Sequence, residues 1–321
     1  MISRRAFAAA LGATVIAGTR APGVRAAGQP LSMQTAWVYD AEFIGYFVAQ
    51  DMGYYEAEGI NLAILAGGPD VIPESALLAG KAPLALTTPD TTMKAIADQN
   101  APFCIIGAQY QKNPLGVISL QERPIHAPKE LAGKTIAVPP VNLTTVHAML
   151  KLNGVERSAV RIVPYQFDPT PLIKGEVDAT VDFVTDVPYS IGRAGKQAHS
   201  FLLYDYGVPL FNDTVTVTRD FLAKHRALLV KWLRASRRGW QENFADPGRY
   251  PKQFAGSWFK GTGRSIDNEI FTNRANLPLM SAPHGIFSMT PEAIEQHIGY
   301  FQSIGIRASR DMFDTTLLAE V

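Results

Sequence analysis

Short β-prone runs alternate with helical ones over residues 33–108, and the alternation restarts at residue 134. Such a pattern directs a chain to parallel α/β sheets, because each step between parallel strands needs a crossover. The stretch 34–70 states it most fully: strand, aromatic-rich helix, Gly53-Tyr54-Tyr55-Glu56-Ala57-Glu58-Gly59 turn, strand, then Gly67-Gly68-Pro69-Asp70. It places Trp37, Asp40, Glu42 and Phe43 where a strand ends and a helix begins. Open α/β sheets bind ligands at that edge.

In the first series, residues 33–38 read as a strand, and Asp40 is placed to cap a helix with the stripe Ile44, Phe47, Val48 and Met52. Gly53 and Gly59 are helix stops. Strands are expected over 60–66, 83–87 and 103–108, with helices over 71–79 and from Asp90 to residue 98. The second series has strands over 134–138, 161–164 and 178–183. Its helices run from Thr144 or Thr145 to residue 153, over 170–174, and from Asp186. A strand over 215–218 can rejoin the first sheet, and helices are expected over 220–243 and 291–303. Two similar half-sheets suggest two lobes, 27–114 with 210–321, and 115–209. The crossings lie at Asn113-Pro114-Leu115-Gly116 and Tyr206-Gly207-Val208-Pro209 and read as a hinge.

The N-terminus reads as a leader. Ser3-Arg4-Arg5-Ala6-Phe7 is a twin-arginine pattern, and the apolar run after it is too short to span a bilayer. Val24-Arg25-Ala26 offers a cleavage site, so residues 1–26 are expected to be a signal peptide and the mature protein periplasmic. Cleavage removes four arginines and no acid, which moves the formal charge from +1 to −3. That balance makes nucleic acid an unsuitable partner. Cys104 is the lone cysteine and sits in an apolar run, which suits a small filler.

Motifs for chemistry are mostly missing. Gly133-Lys134-Thr135 lacks the upstream glycine of a phosphate loop, and Gly261-Thr262-Gly263 lacks the third glycine and the strand of a dinucleotide site. The six histidines are scattered, so no metal ligand set is expected. What the strand ends supply is a binding set: Trp37, Asp40, Glu42, Phe43, Asp70, Thr87, Thr88, Asp90, Gln109, Asn142, Thr144, Asp182, Phe183 and Asp186. Each has a plainer reading. Asp40, Asp90, Thr144 and Asp186 can cap helices, Trp37 and Phe43 can be core, and Asp70 can hold a turn.

At this point the chain resembles the periplasmic substrate-binding proteins of ABC importers, in the thiamine-pyrimidine, riboflavin, sulfonate and nitrate branch. The resemblance rests on Phe43 to Gln50, Gly53-Tyr54-Tyr55-Glu56, Gly67-Gly68-Pro69-Asp70, Leu78 to Lys81, Leu131 to Ile136 and Leu172 to Ala179. It implies a two-lobe periplasmic-binding-protein fold of type II, hinge closure over a small molecule, and a permease as partner of a monomeric receptor without a cofactor. Pyrimidine-making enzymes share the fold but rely on a cysteine-rich segment that this chain lacks. The candidate groups are mostly acidic, which disfavours nitrate or a sulfonate and favours a neutral or cationic ring with N–H donors, stacked on Trp37. An aminopyrimidine-like or flavin-like ligand is therefore expected.

Overall fold

The computed structural model describes residues 28–281 and 285–321, so the expected leader lies outside the described residues. Ten strands form two five-stranded sheets. The first contains β1 (Gln29–Gln34), β2 (Ile60–Leu65), β3 (Leu84–Thr87), β4 (Phe103–Tyr110) and β10 (Asn212–Thr218), in the order β2-β1-β3-β10-β4. The second contains β5 (Leu115–Leu120), β6 (Thr135–Val138), β7 (Arg161–Pro164), β8 (Ala179–Phe183) and β9 (Ala198–Leu202), in the order β7-β6-β8-β5-β9. Helices flank both, and β10 and β5 run antiparallel to their neighbours. These are the two sheets the alternation demanded.

The first strand departs from expectation. It ends at Gln34 because its partner β2 ends at Leu65, in the register Gln34↔Leu65. Beyond it the Thr35 hydroxyl donates to the Trp37 carbonyl, and the Gly67 N–H donates to Thr35 Oγ1 and to the Trp37 carbonyl. Trp37 thus stands in a fastened loop past the strand. A Cβ on Gly67 would lie 2.4 Å from the Thr35 carbonyl oxygen, so this approach requires glycine.

Capping also differs. Asp40 caps a short 3₁₀ turn, Ala41–Phe43, by accepting the Glu42 N–H at 2.8 Å. Asp90 lies inside the first turn of Pro89–Gln99, whose cap position is Thr88. Thr144 is an exposed first-turn residue of Leu143–Leu152, and Asp186 makes no capping bond because its carboxylate is engaged elsewhere. The helix Ile44–Asp51 is buried from Ile44 to Ala49, while Met52 of the expected stripe is 42% exposed. Unanticipated are β5, β9 and the helices Arg249–Phe254 and Ile266–Met280.

The chain passes from the first sheet to the second between β4 and β5 and returns between β9 and β10. The crossings are tied together. The Asn113 N–H donates to Leu210 O, its amide to Phe211 O, and its Oδ1 accepts the Leu115 N–H. One apolar cluster runs behind them, containing Ile105 and Ala108 of the first sheet, Leu115 and Val117 of the second, and Ile294, Ile298 and Phe301 of the helix Pro291–Ser303.

The largest core lies under the first sheet, where the helices Ile44–Asp51 and Arg219–Ala245 cross in backbone contact. A Cβ on Gly239 would lie 2.2 Å from the Gly45 carbonyl oxygen and 2.7 Å from the Ala49 nitrogen. Gly239→Ala is expected to lower stability by about 1–3 kcal/mol, the usual cost of overpacking. A urea midpoint equal to that of the parent protein would refute the closeness of this crossing.

Candidate functional site

The helix Ile266–Met280 opens at Ser265, whose hydroxyl caps the Asn268 N–H. Just before it stands Arg264. Its Nε donates to Glu269 Oε1 at 2.8 Å, and Nη1 and Nη2 donate to the two Asp186 oxygens at 3.0 and 2.8 Å. Nη2 also donates to Thr272 Oγ1 at 3.0 Å. Glu269 in turn accepts the Ala41 N–H at 2.7 Å. One guanidinium therefore joins the turn after β1, the helix Ile266–Met280, and Asp186, which follows β8 of the second sheet. Burial disfavours its charge, but Asp186, Asp40 and Glu269 outweigh that and hold Arg264 protonated.

Carboxyls gather around this contact. Burial pushes Asp40 up to about 8, against the pull of Arg264. Burial likewise raises Glu269. Glu42 is raised well above the ordinary range, first by burial and then by Asp213, with which it shares a hydrogen bond. Burial takes Asp213 to about 7. Gln109 bridges this pair to the backbone, donating to Asp213 Oδ2 at 2.7 Å and to the Glu42 carbonyl at 2.8 Å. Asp213 has φ +46°, a left-handed conformation that aspartate tolerates better than most residues. On the second sheet, burial brings Asp182 to about 7, opposed by the Phe183 N–H at 2.7 Å.

Rings meet at the same edges. Trp37 lies 5.3 Å from Phe167, which follows β7, and Phe167 lies 5.9 Å from Tyr165. Tyr189 reaches across to Phe271 at 5.8 Å and to the Ser265 hydroxyl at 2.9 Å.

The structure thus assembles Trp37, Asp40, Glu42, Gln109, Asp182 and Asp186 around one seam between the sheets. Phe43 is fully buried core, and Thr87 is fully buried in a hydroxyl cluster with Thr92, Thr214 and Thr216. Asp70 is exposed on its turn. Asp90 is buried and raised by desolvation. Thr88 and Asn142 stand at helix starts without a capping bond, and Phe183 packs at the edge of the shared apolar cluster. Sequence reasoning missed Arg264, Glu269, Asp213, Tyr165 and Phe167. The signal for the rings was present in Tyr165-Gln166-Phe167 directly after a strand. Arg264, in a loop outside any motif, gave none. Among the described residues no group of three or more His, Cys, Asp or Glu is arranged to hold a metal ion.

The NMT1/THI5-like family model matches residues 40–249. The riboflavin-binding protein RibY of Chloroflexus aurantiacus is 23% identical over 235 residues, 71% of this chain and 66% of that protein. The formylaminopyrimidine-binding protein of Halalkalibacterium halodurans is 25% identical over 218 residues, 66% of this chain and 65% of the relative. These matches span just under two thirds of the relatives' length. The periplasmic aliphatic sulphonate binding protein SsuA of Escherichia coli superposes with a TM-score of 0.68 at 13% identity, covering 88% of this chain and 96% of SsuA. The desulfurization enzyme DSZB superposes with a TM-score of 0.57 at 12% identity, covering 91% and 98%. The structural likenesses establish a periplasmic-binding-protein fold.

Burial raises Asp40, Asp182 and Asp213 above their unfolded values, near 4, so the folded protein keeps protons that the unfolded chain has released. Their contribution is full below about pH 4 and is lost as pH rises through about 7 to 8. Urea midpoints are expected to fall between about pH 5 and pH 8, and less steeply in Asp213→Asn. Identical slopes in variant and parent would show that the buried pair does not hold a proton.

Proposed function

The chain belongs to the NMT1/THI5-like family, and on that premise we propose that it is the solute-binding component of an ABC import system, capturing a small heteroaromatic ligand by hinge closure. The observation that carries this reading is the seam itself. Residues from both sheets meet there through Arg264–Asp186 and Trp37–Phe167, behind two tied crossings. A molecule touching both sides favours the arrangement in which all its contacts exist together. The lobes are 27–114 with 210–321, and 115–209. The protein acts as a monomer in the periplasm and hands its ligand to an inner-membrane permease.

The charge pattern supports the ligand class. Arg264 is the cation of the seam, and its donors are already taken by Asp186, Glu269 and Thr272. Among the described residues a sulfonate or nitrate would face carboxyls and an Arg264 whose donors are taken, so the likeness to SsuA is read as one of fold. Ring N–H groups meet acceptors instead, and Trp37 and Phe167 offer faces for stacking, worth about 0.5–1.5 kcal/mol beyond burial. The names of the riboflavin- and formylaminopyrimidine-binding relatives agree with this class.

The fold also hosts an enzyme, DSZB. Here the seam contains no nucleophile–base pair. The Cys104 thiol is buried in the first sheet and pushed by burial to about 11, which keeps it protonated and unreactive. The reading is therefore a receptor.

Riboflavin and formylaminopyrimidine are the first ligands to test by thermal shift, with an alkanesulfonate and nitrate as contrasts. A ligand at 100 times its Kd adds about 2.7 kcal/mol of stability. Trp37→Ala and Asp182→Asn are expected to abolish most of the shift while the unliganded protein still folds. Stabilisation by the sulfonate alone, or turnover of any compound, would overturn the reading.

Solution scattering tests the closure. Asp186→Asn removes the charge that holds Arg264 across the seam, so the unliganded variant is expected to have a larger radius of gyration than its parent. Identical radii would mean that this ion pair does not hold the halves together.

A further inference from the structure

Asn276 is 1% exposed, and neither its Nδ2 nor its Oδ1 has a hydrogen-bond partner. Buried polar groups are nearly always paired, because an amide stripped of water without a partner is costly. The neighbouring asparagine of the same helix obeys that rule: Asn273 exchanges two bonds of 2.8 Å with Asn243. Asn276 breaks it, so its place needs a reason.

Its place is fixed by what surrounds it in the fold. Asn276 stands one turn after Thr272 on the same side of the helix Ile266–Met280. Thr272 Oγ1 accepts from Arg264 and lies 3.4 Å from Asp186 Oδ1, so that side faces the seam. One turn further on, the Leu279 carbonyl accepts the N–H groups of Gln111 and Lys112, where β4 ends. Asn276 therefore lies between the Arg264–Asp186 contact and the end of β4. Two further buried atoms without partners, Gln109 Oε1 and Gln111 Oε1, belong to residues at the end of β4.

We propose that Asn276 is a ligand-recognition residue of the seam, pairing bidentately with a heteroaromatic edge that presents an N–H donor beside a ring nitrogen or carbonyl acceptor. This rests on the receptor reading given above. An asparagine amide with both ends free matches such an edge, as it matches the amino group and adjacent ring nitrogen of adenine. A sulfonate offers acceptors only and would leave Oδ1 unpaired. The amide is enclosed in this arrangement, so a ligand reaches it once Arg264 and Asp186 part.

The test uses the mature protein, calorimetric titration and two probe pairs. These are 4-amino-2-methylpyrimidine against 2-methylpyrimidine, and riboflavin against N3-methylriboflavin. The parent protein is expected to prefer the first member of a pair at least tenfold, and Asn276→Leu to lose that preference. Because Leu replaces an unpaired amide with an apolar group of similar size, the thermal midpoint of the empty variant is expected to equal or exceed the parent's. A preference retained in Asn276→Leu overturns the assignment, and a lowered midpoint with the preference intact identifies a structural amide. Should Asn276→Leu not fold, Asn276→Ala removes both ends of the amide and is expected to bind the preferred probe at least tenfold more weakly. Unchanged affinity overturns the proposal. If the parent binds neither pair, the heteroaromatic reading itself fails and this assignment falls with it.

Discussion

A single guanidinium holds the functional seam in order. Arg264 is largely buried, and a buried cation is tolerable only where its donors are satisfied. Glu269 fixes it from its own helix, and Asp186 takes it in a two-pronged contact from the second sheet. Lysine could not make that fork, because an ammonium presents no planar pair of donors. Glu269 meanwhile receives the Ala41 N–H, so the turn that positions Asp40 and Glu42 is fastened to the same group. Placement of the first-sheet carboxyls and contact with the second sheet are thus one electrostatic arrangement.

The two chain crossings are tied at a different place from this contact. The crossings are joined by short polar ties from Asn113, and beside the return strand His297 accepts the Phe211 N–H at 3.4 Å. Burial lowers His297 to about 3, which keeps it neutral and able to accept. Behind them the apolar cluster containing Phe301 and Ile105 packs both sheets against one helix. In the proposed closure this side is the natural pivot, since its apolar contacts resist separation while few backbone bonds cross it. The seam, held by side-chain ion pairs and ring contacts, is the weaker boundary.

Much of the fold was legible, because local chemistry announced it. Gly175 ends the helix Thr170–Lys174 in a left-handed conformation, and the Thr290 hydroxyl caps the helix Pro291–Ser303, so both helices keep the expected ranges 170–174 and 291–303. What failed was whatever depended on a distant partner. The first strand stops where β2 stops, a limit written thirty residues away. Asp186 looked like a cap because a cap is a local event, whereas its true partner lies 78 residues on. Asp213 sits inside a strand of ordinary composition, and its role arises only when Glu42 and Gln109 are brought to it. Within the seam, the residues after a strand could be suspected from sequence, and those supplied by the C-terminal helices could not.

The acidity of the seam bears on how one scaffold can serve different rings. An ionised carboxylate only accepts hydrogen bonds, whereas a protonated one also donates. Asp182 near 7 and Asp40 near 8 lie close to the boundary between those states, with burial as the main cause of each shift. An amino group and a ring nitrogen place donor and acceptor in one order, and a flavin's carbonyl and imide N–H place them in another. For the proposed ligand class, a carboxyl that burial holds toward its protonated form can either accept or donate, so it suits both orders. A cleft of guanidinium donors could not adapt so, because arginine stays charged and only donates. The commitment of Arg264 to protein carboxylates therefore leaves the remaining carboxyls as the adjustable part of the site.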